Sequence, residues 1–176
     1  YNGDPLLYCS FMQAFKYCVE NKTINDMDKL YFLDQYTVGE PNRIVKGFLN
    51  RGPNAYNEAK ASMKKKFGNK YIIAEAFKDK ASNWPEVKRD QAQSWSHFST
   101  FLGECWNTMA DLNISNEMDH SSTIKCLLTK LPYSVKNQWR IYVDKVMEEQ
   151  ARVAGFKDFL EFVEKQTRII SNPLYG

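Results

Sequence analysis

The chain has 176 residues, 43% of them apolar and 26% charged, with a formal net charge of +3. That balance excludes a disordered chain. The weak positive charge does not by itself call for nucleic acid, and no apolar run approaches the ~20 residues that span a bilayer. Aromatic residues reach 14% and supply large apolar area per side chain. No secretory leader is read at the start, and an opening at Tyr1 without Met leads us to expect a piece of something longer.

Helical periodicity runs through the whole sequence, and no stretch alternates as a strand does. Asp4-Pro5 starts the first helix: Asp4 caps it, and Pro5 sits where a missing N–H costs nothing. Tyr8, Phe11, Met12, Phe15 and Val19 then share one face, with Phe11 and Phe15 expected in the core. A second helix runs from about Asp26 to Tyr36, and Gly39-Glu40-Pro41 restarts the chain as a short third helix with Ile44, Val45 and Phe48 inward. Gly52-Pro53-Asn54 reads as a turn with a cap. The fourth helix carries Tyr56, Ala59, Met63 and Phe67 inward, and Gly68 suits the residue just past its end. The fifth, from Asn69 to about Ser82, carries Ile72, Ile73, Ala76 and Phe77 and ends at Trp84-Pro85. The sixth is the longest, from about Asp90 to Leu112, with Trp95, Phe98, Leu102, Cys105, Trp106, Met109 and Leu112 as its stripe. Ile124, Leu127, Leu128 and Leu131 mark a seventh. Pro132 starts an eighth, and Gly155 precedes a last helix with Phe156, Phe159, Leu160 and Val163. The break at Phe67-Gly68 leads us to expect two helical lobes, residues 1–67 and 68–176, with one continuous nine-helix bundle as the alternative that the pattern leaves open.

The sequence offers little chemistry. There is no nucleophile elbow, phosphate-cradling glycine loop or zinc-protease helix, so no catalytic residue, cofactor or small-molecule substrate is expected. His97 and His120 read as ordinary helix residues. Cys9, Cys18, Cys105 and Cys126 form no close ligand pair, so no metal is expected, and they read as buried reduced thiols. Lys60, Lys64, Lys65, Lys66 and Lys70 gather on and just after the fourth helix. Two readings stand for them: a weak RNA contact, or a solvated face whose cations suit the helix C-terminus. The tryptophan stripe of the sixth helix reads as core or as a helix–helix interface.

Taken in order, the motifs have a common pattern. Tyr1-Asn2-Gly3-Asp4-Pro5 precedes Tyr8, Phe11 and Phe15. Lys29-Leu30 and Leu33 precede Val38-Gly39-Glu40-Pro41 and Ile44-Val45. Tyr56, Ala59, Met63 and Phe67-Gly68-Asn69 follow, then Leu127, Lys130-Leu131-Pro132 and Trp139. In this series the chain resembles the Gag capsid-like region of long-terminal-repeat retrotransposons, most closely the BEL/Pao class. Pro41 stands where that family usually has Ala, and Tyr8 where Trp is common.

The resemblance implies an all-α fold of two small lobes like retroviral capsid. It implies a structural protein, not an enzyme, that self-associates as a homo-oligomer into a cytoplasmic, virus-like shell around the element's RNA. The RNA would be held mainly by segments outside this chain, with no membrane involved. Because related folds pair through the second lobe, Val135, Trp139 and Tyr142 on the eighth helix are the candidate oligomer contact, with core burial as the alternative for Trp139. A domesticated host protein that acts as an interaction adaptor without forming particles is the rival reading.

Overall fold

The computed structural model describes residues 1–174. Nine α-helices are present among them and no strand. They are α1 (Pro5–Phe15), α2 (Asp26–Gln35), α3 (Gly39–Lys46), α4 (Ala55–Phe67), α5 (Lys70–Ser82), α6 (Ala92–Asp111), α7 (Ser121–Thr129), α8 (Tyr133–Gln150) and α9 (Phe156–Ile170). The chain divides into two compact units, the first Tyr1–Ala76 and the second beginning at Phe77. This division falls inside α5, whose first half buries Ile73 and Ala74, while Phe77 and Trp84 reach Phe101 of α6 at ring-centroid distances of 6.2 and 4.4 Å.

In the N-terminal unit the start of α1 follows its sequence. The Leu6 N–H donates to the Asp4 carboxylate at 2.9 Å, and Pro5 occupies the first turn. The helix continues as a π-turn over Lys16–Glu20, where the Asn21 N–H reaches the Lys16 carbonyl at 3.0 Å. Phe15 and Val19 enter the core beside Leu30, Leu33, Val45, Ala59 and Met63. Phe11 is only half-buried, because it lies under the Tyr1 ring (centroids 5.0 Å apart) at the edge of an open groove. Ile44 and Phe48 are half-buried and Ile72 is exposed, whereas Pro41 and Val45 of α3 and Ile73, Ala74 and Phe77 of α5 are buried. Asn54 does not cap α4; its side-chain oxygen accepts from the Asn57 amide at 3.2 Å.

The residues of the opening motif converge on the corner between α4 and α5. Tyr1 packs edge-on to Tyr8 and to Phe67. Gly3 adopts a φ of +99°, and a Cβ there would sit 3.3 Å from both Phe67 and Pro41. Gly68, at φ −98°, is not left-handed, so chain reversal is not its role. A Cβ at Gly68 would lie 2.3 Å from a ring carbon of Tyr8, so the corner closes only over a residue without a side chain. Burial pushes the Tyr8 hydroxyl up to about 12, helped by the nearby Cys9 thiol, so the ring stays neutral across the physiological range.

The second unit is built on α6 against α9. Trp95, Phe98, Leu102, Cys105 and Met109 of α6 meet Phe156, Phe159 and Val163 of α9, all essentially excluded from solvent. Each large side chain buried in this way contributes roughly 1.5–3 kcal/mol. The start of α9 is held by charge. Asp119 accepts from the Phe156 N–H at 2.8 Å, and Asp158 accepts from the Gly155 N–H at 2.8 Å. Arg152 grips both oxygens of Asp158 at 2.6 and 2.7 Å. A Cβ at Gly155 would stand 2.6 Å from Asp119 Oδ1, so a larger residue there would displace the carboxylate that accepts from Phe156. The Arg152 hydrogen bonds hold the Asp158 carboxyl below the usual carboxylate range, against its burial and with help from the Gly155 amide.

Two outcomes follow from this architecture. Gly68→Ala lowers stability by about 1–3 kcal/mol in thermal unfolding, and the loss shrinks when Tyr8 is also replaced by Ala, because the clash partner is gone. An unchanged melting temperature for Gly68→Ala contradicts the assigned contact. Asp158 binds protons more weakly when folded than when unfolded. Its stabilising contribution is therefore complete above the ordinary Asp value of about 4 and is lost as pH falls through its lower folded value. Melting temperature plotted against pH falls less steeply toward acid for Asp158→Asn than for the parent chain; parallel curves contradict the clamp.

Candidate functional site

The five lysines singled out by sequence do not act as one set. Lys60 is tied to Glu20, which also accepts from the Tyr56 hydroxyl. Burial alone would raise the Glu20 carboxyl, but hydrogen bonds from Lys60 and Tyr56 and the charges of Lys60 and Lys29 hold it lower than usual. Lys66 pairs with Glu40 of α3. Lys64, Lys65 and Lys70 are exposed, and among the described residues none of these three forms an ion pair. The Lys70 ammonium lies 5.3 Å from the ring centroid of Tyr71, which is 55% exposed. The positive charge is unevenly shared: residues 1–76 hold eleven Lys and Arg against eight Asp and Glu, while residues 77–176 hold thirteen against thirteen.

The candidate contact on α8 is corrected by burial. Val135 and Trp139 face inward and Tyr142 is half-buried. Trp139 stacks on Tyr142 and meets Phe159 and Phe162 of α9 edge-on at 5.2 and 5.3 Å. The aromatic pattern of α9 is what draws it inward, since a ring of that size gains most where other rings surround it. The outward apolar residues of α8 are Tyr133, Ile141 and Met147, 83%, 64% and 53% exposed. Trp106, expected in the core, is half-buried beside the Arg152–Asp158 clamp, stacked 6.4 Å from Phe156.

The N-terminal unit exposes apolar surface of its own. Tyr31, Phe32, Tyr36 and Val38 remain exposed along and just after α2, with Phe32 and Tyr36 stacked at 6.3 Å. Beside them opens a groove of about 440 Å³ lined by Tyr1, Phe11, Ala14, Phe15, Cys18, Val19 and Tyr36. In the second unit an open cleft of about 410 Å³ runs along α8 and α9, bordered by Gln138, Ile141, Tyr142, Phe162 and Gln166.

The thiols are not uniformly buried. Cys105 is, and burial pushes it up to about 12; Cys9 and Cys126 are half-buried and Cys18 is exposed. All four are free. Among the described residues, no three His, Cys, Asp or Glu side chains gather as a metal ion would require. No helix among them is long and apolar enough to cross a membrane. His97 and His120 are both exposed, His97 on α6 and His120 just before α7.

Comparison with curated proteins and with solved structures returns no match. A family model described as "Protein of unknown function (DUF1759)" matches residues 1–148, which include the opening motif, the α4–α5 corner and most of α8. The chain therefore belongs to the DUF1759 family.

Proposed function

We propose that this chain is the capsid-like domain of a retrotransposon Gag protein of the BEL/Pao kind, and that its work is self-association into a shell around the element's RNA. In this reading it is a structural protein with no chemistry of its own. The observation that carries the reading is the convergence of the opening motif. Tyr1, Gly3 and Tyr8 at the start of the chain and Phe67 and Gly68 at the end of α4 carry the resemblance and meet at one corner of the N-terminal unit. The all-helical architecture is of the kind the resemblance implies. Exposed apolar residues on both units, Tyr31 and Phe32 on α2 and Tyr133 and Ile141 on α8, supply surface that identical copies can bury against one another. Individually weak contacts suffice when each copy makes several.

Sedimentation velocity of the chain from micromolar to millimolar concentration, at low and high salt, tests this. The reading predicts concentration-dependent growth beyond the monomer. Ile141→Asp, on the outward side of α8, weakens association and leaves the melting temperature nearly unchanged. Trp139→Ala instead costs about 3–5 kcal/mol of stability, because it empties a core site. A chain that stays monomeric at every concentration and salt contradicts assembly and favours the adaptor reading.

A further inference from the structure

We propose that the α4–α5 corner binds single-stranded RNA, with Lys64, Lys65 and Lys70 on phosphates and the ring of Tyr71 as a stacking platform for a base. The proposal rests on the reading above for why RNA is present, but its geometry is independent of assembly. Between Glu58 and Glu75 the chain carries five lysines and no acid. Ion pairs with Glu20 and Glu40 engage Lys60 and Lys66, which leaves Lys64, Lys65 and Lys70 exposed and open to an anionic ligand. They lie on the last turn of α4 and the first residue of α5, joined by a two-residue corner.

That corner is fixed in shape. Gly68 closes against the Tyr8 ring, its N–H donates to the Lys64 carbonyl at 2.9 Å, and the Asn69 side chain accepts from the Tyr71 N–H at 2.9 Å. The Tyr71 ring is 55% exposed, with the Lys70 ammonium 5.3 Å from its centroid. Exposed cations together with an exposed ring are the features that recognise unpaired nucleotides. An anionic membrane or an acidic protein would use the lysines but would not need the ring to stack. Duplex RNA hides its bases, and so would use the phosphate contacts alone.

The test uses the full chain at a concentration below that at which it associates, with a fluorescein-labelled oligouridine as probe and anisotropy as readout. The parent chain binds, and affinity falls steeply with salt. Replacing Lys64, Lys65 and Lys70 by Ala lowers the slope of log affinity against log salt by about 2, three phosphate contacts at roughly 0.7 each. Tyr71→Ala weakens binding about fivefold or more while leaving the salt slope unchanged. Lys60→Ala has little effect on the slope, since that cation is already paired with Glu20. Melting temperatures close to the parent's show that the triple variant and Tyr71→Ala are folded. Absence of binding at low salt overturns the proposal. So does equal binding to duplex RNA or to phosphatidylserine vesicles, or a Tyr71→Ala variant that binds as well as the parent. Sedimentation of the same variants separates this outcome from assembly: RNA binding can fail while association persists, and the reverse.

Discussion

The close approach of Tyr8 to Gly68 is the contact on which the N-terminal unit depends. It brings α1 onto the end of α4 with no room for a single methyl group between them. Around it, Tyr1 stacks on Phe11, Gly3 turns through a left-handed conformation against Pro41 and Phe67, and the Val38 N–H donates to the Tyr1 carbonyl at 2.8 Å. Each of these needs the others. The aromatic rings gain their contact area only if the backbone approaches this closely, and the backbone approaches only because the two positions are glycine. The consequence reaches the surface, since the same closure fixes the corner that carries Lys64, Lys65, Lys70 and Tyr71.

The second unit solves a similar problem by other means. Its core is a helix pair whose facing stripes are almost entirely aromatic and aliphatic, and that burial is directionless. Direction comes from polar contacts at one end. Asp119 and Asp158 occupy the orphan amides at the start of α9, and Arg152 balances the charge of Asp158. A helix N-terminus favours such carboxylates twice, through hydrogen bonds from its free amides and through the helix dipole. The clamp thus sets where α9 begins and with it the register of Phe156, Phe159 and Val163.

Much of this was legible in the sequence, because helix starts and stripes are local. Asp4-Pro5 announces α1, and Trp95, Phe98, Leu102, Cys105 and Met109 announce the buried face of α6. What escaped is what depends on partners distant in the chain. Gly68 reads as a helix stop, yet its role is set by a ring sixty residues earlier. Lys60 looks like a free cation until Glu20 is found beside it, forty positions away. Trp139 reads equally well as core or contact from α8 alone; Phe159 and Phe162 of α9 decide for core. Among candidate site residues, ion pairs distinguish Lys60 and Lys66 from Lys64, Lys65 and Lys70, and burial takes Val135 and Trp139 to the core alternative.

An all-helical DUF1759 chain, a motif-built corner and exposed apolar faces on both units support the proposal that copies of this chain assemble. Electron microscopy of the purified chain at high concentration and high salt tests that claim most directly. The account predicts closed, repeating particles that disappear when Ile141 is replaced by Asp. A field of dispersed monomers under every condition, from a chain whose helical signal and melting transition are intact, would contradict it.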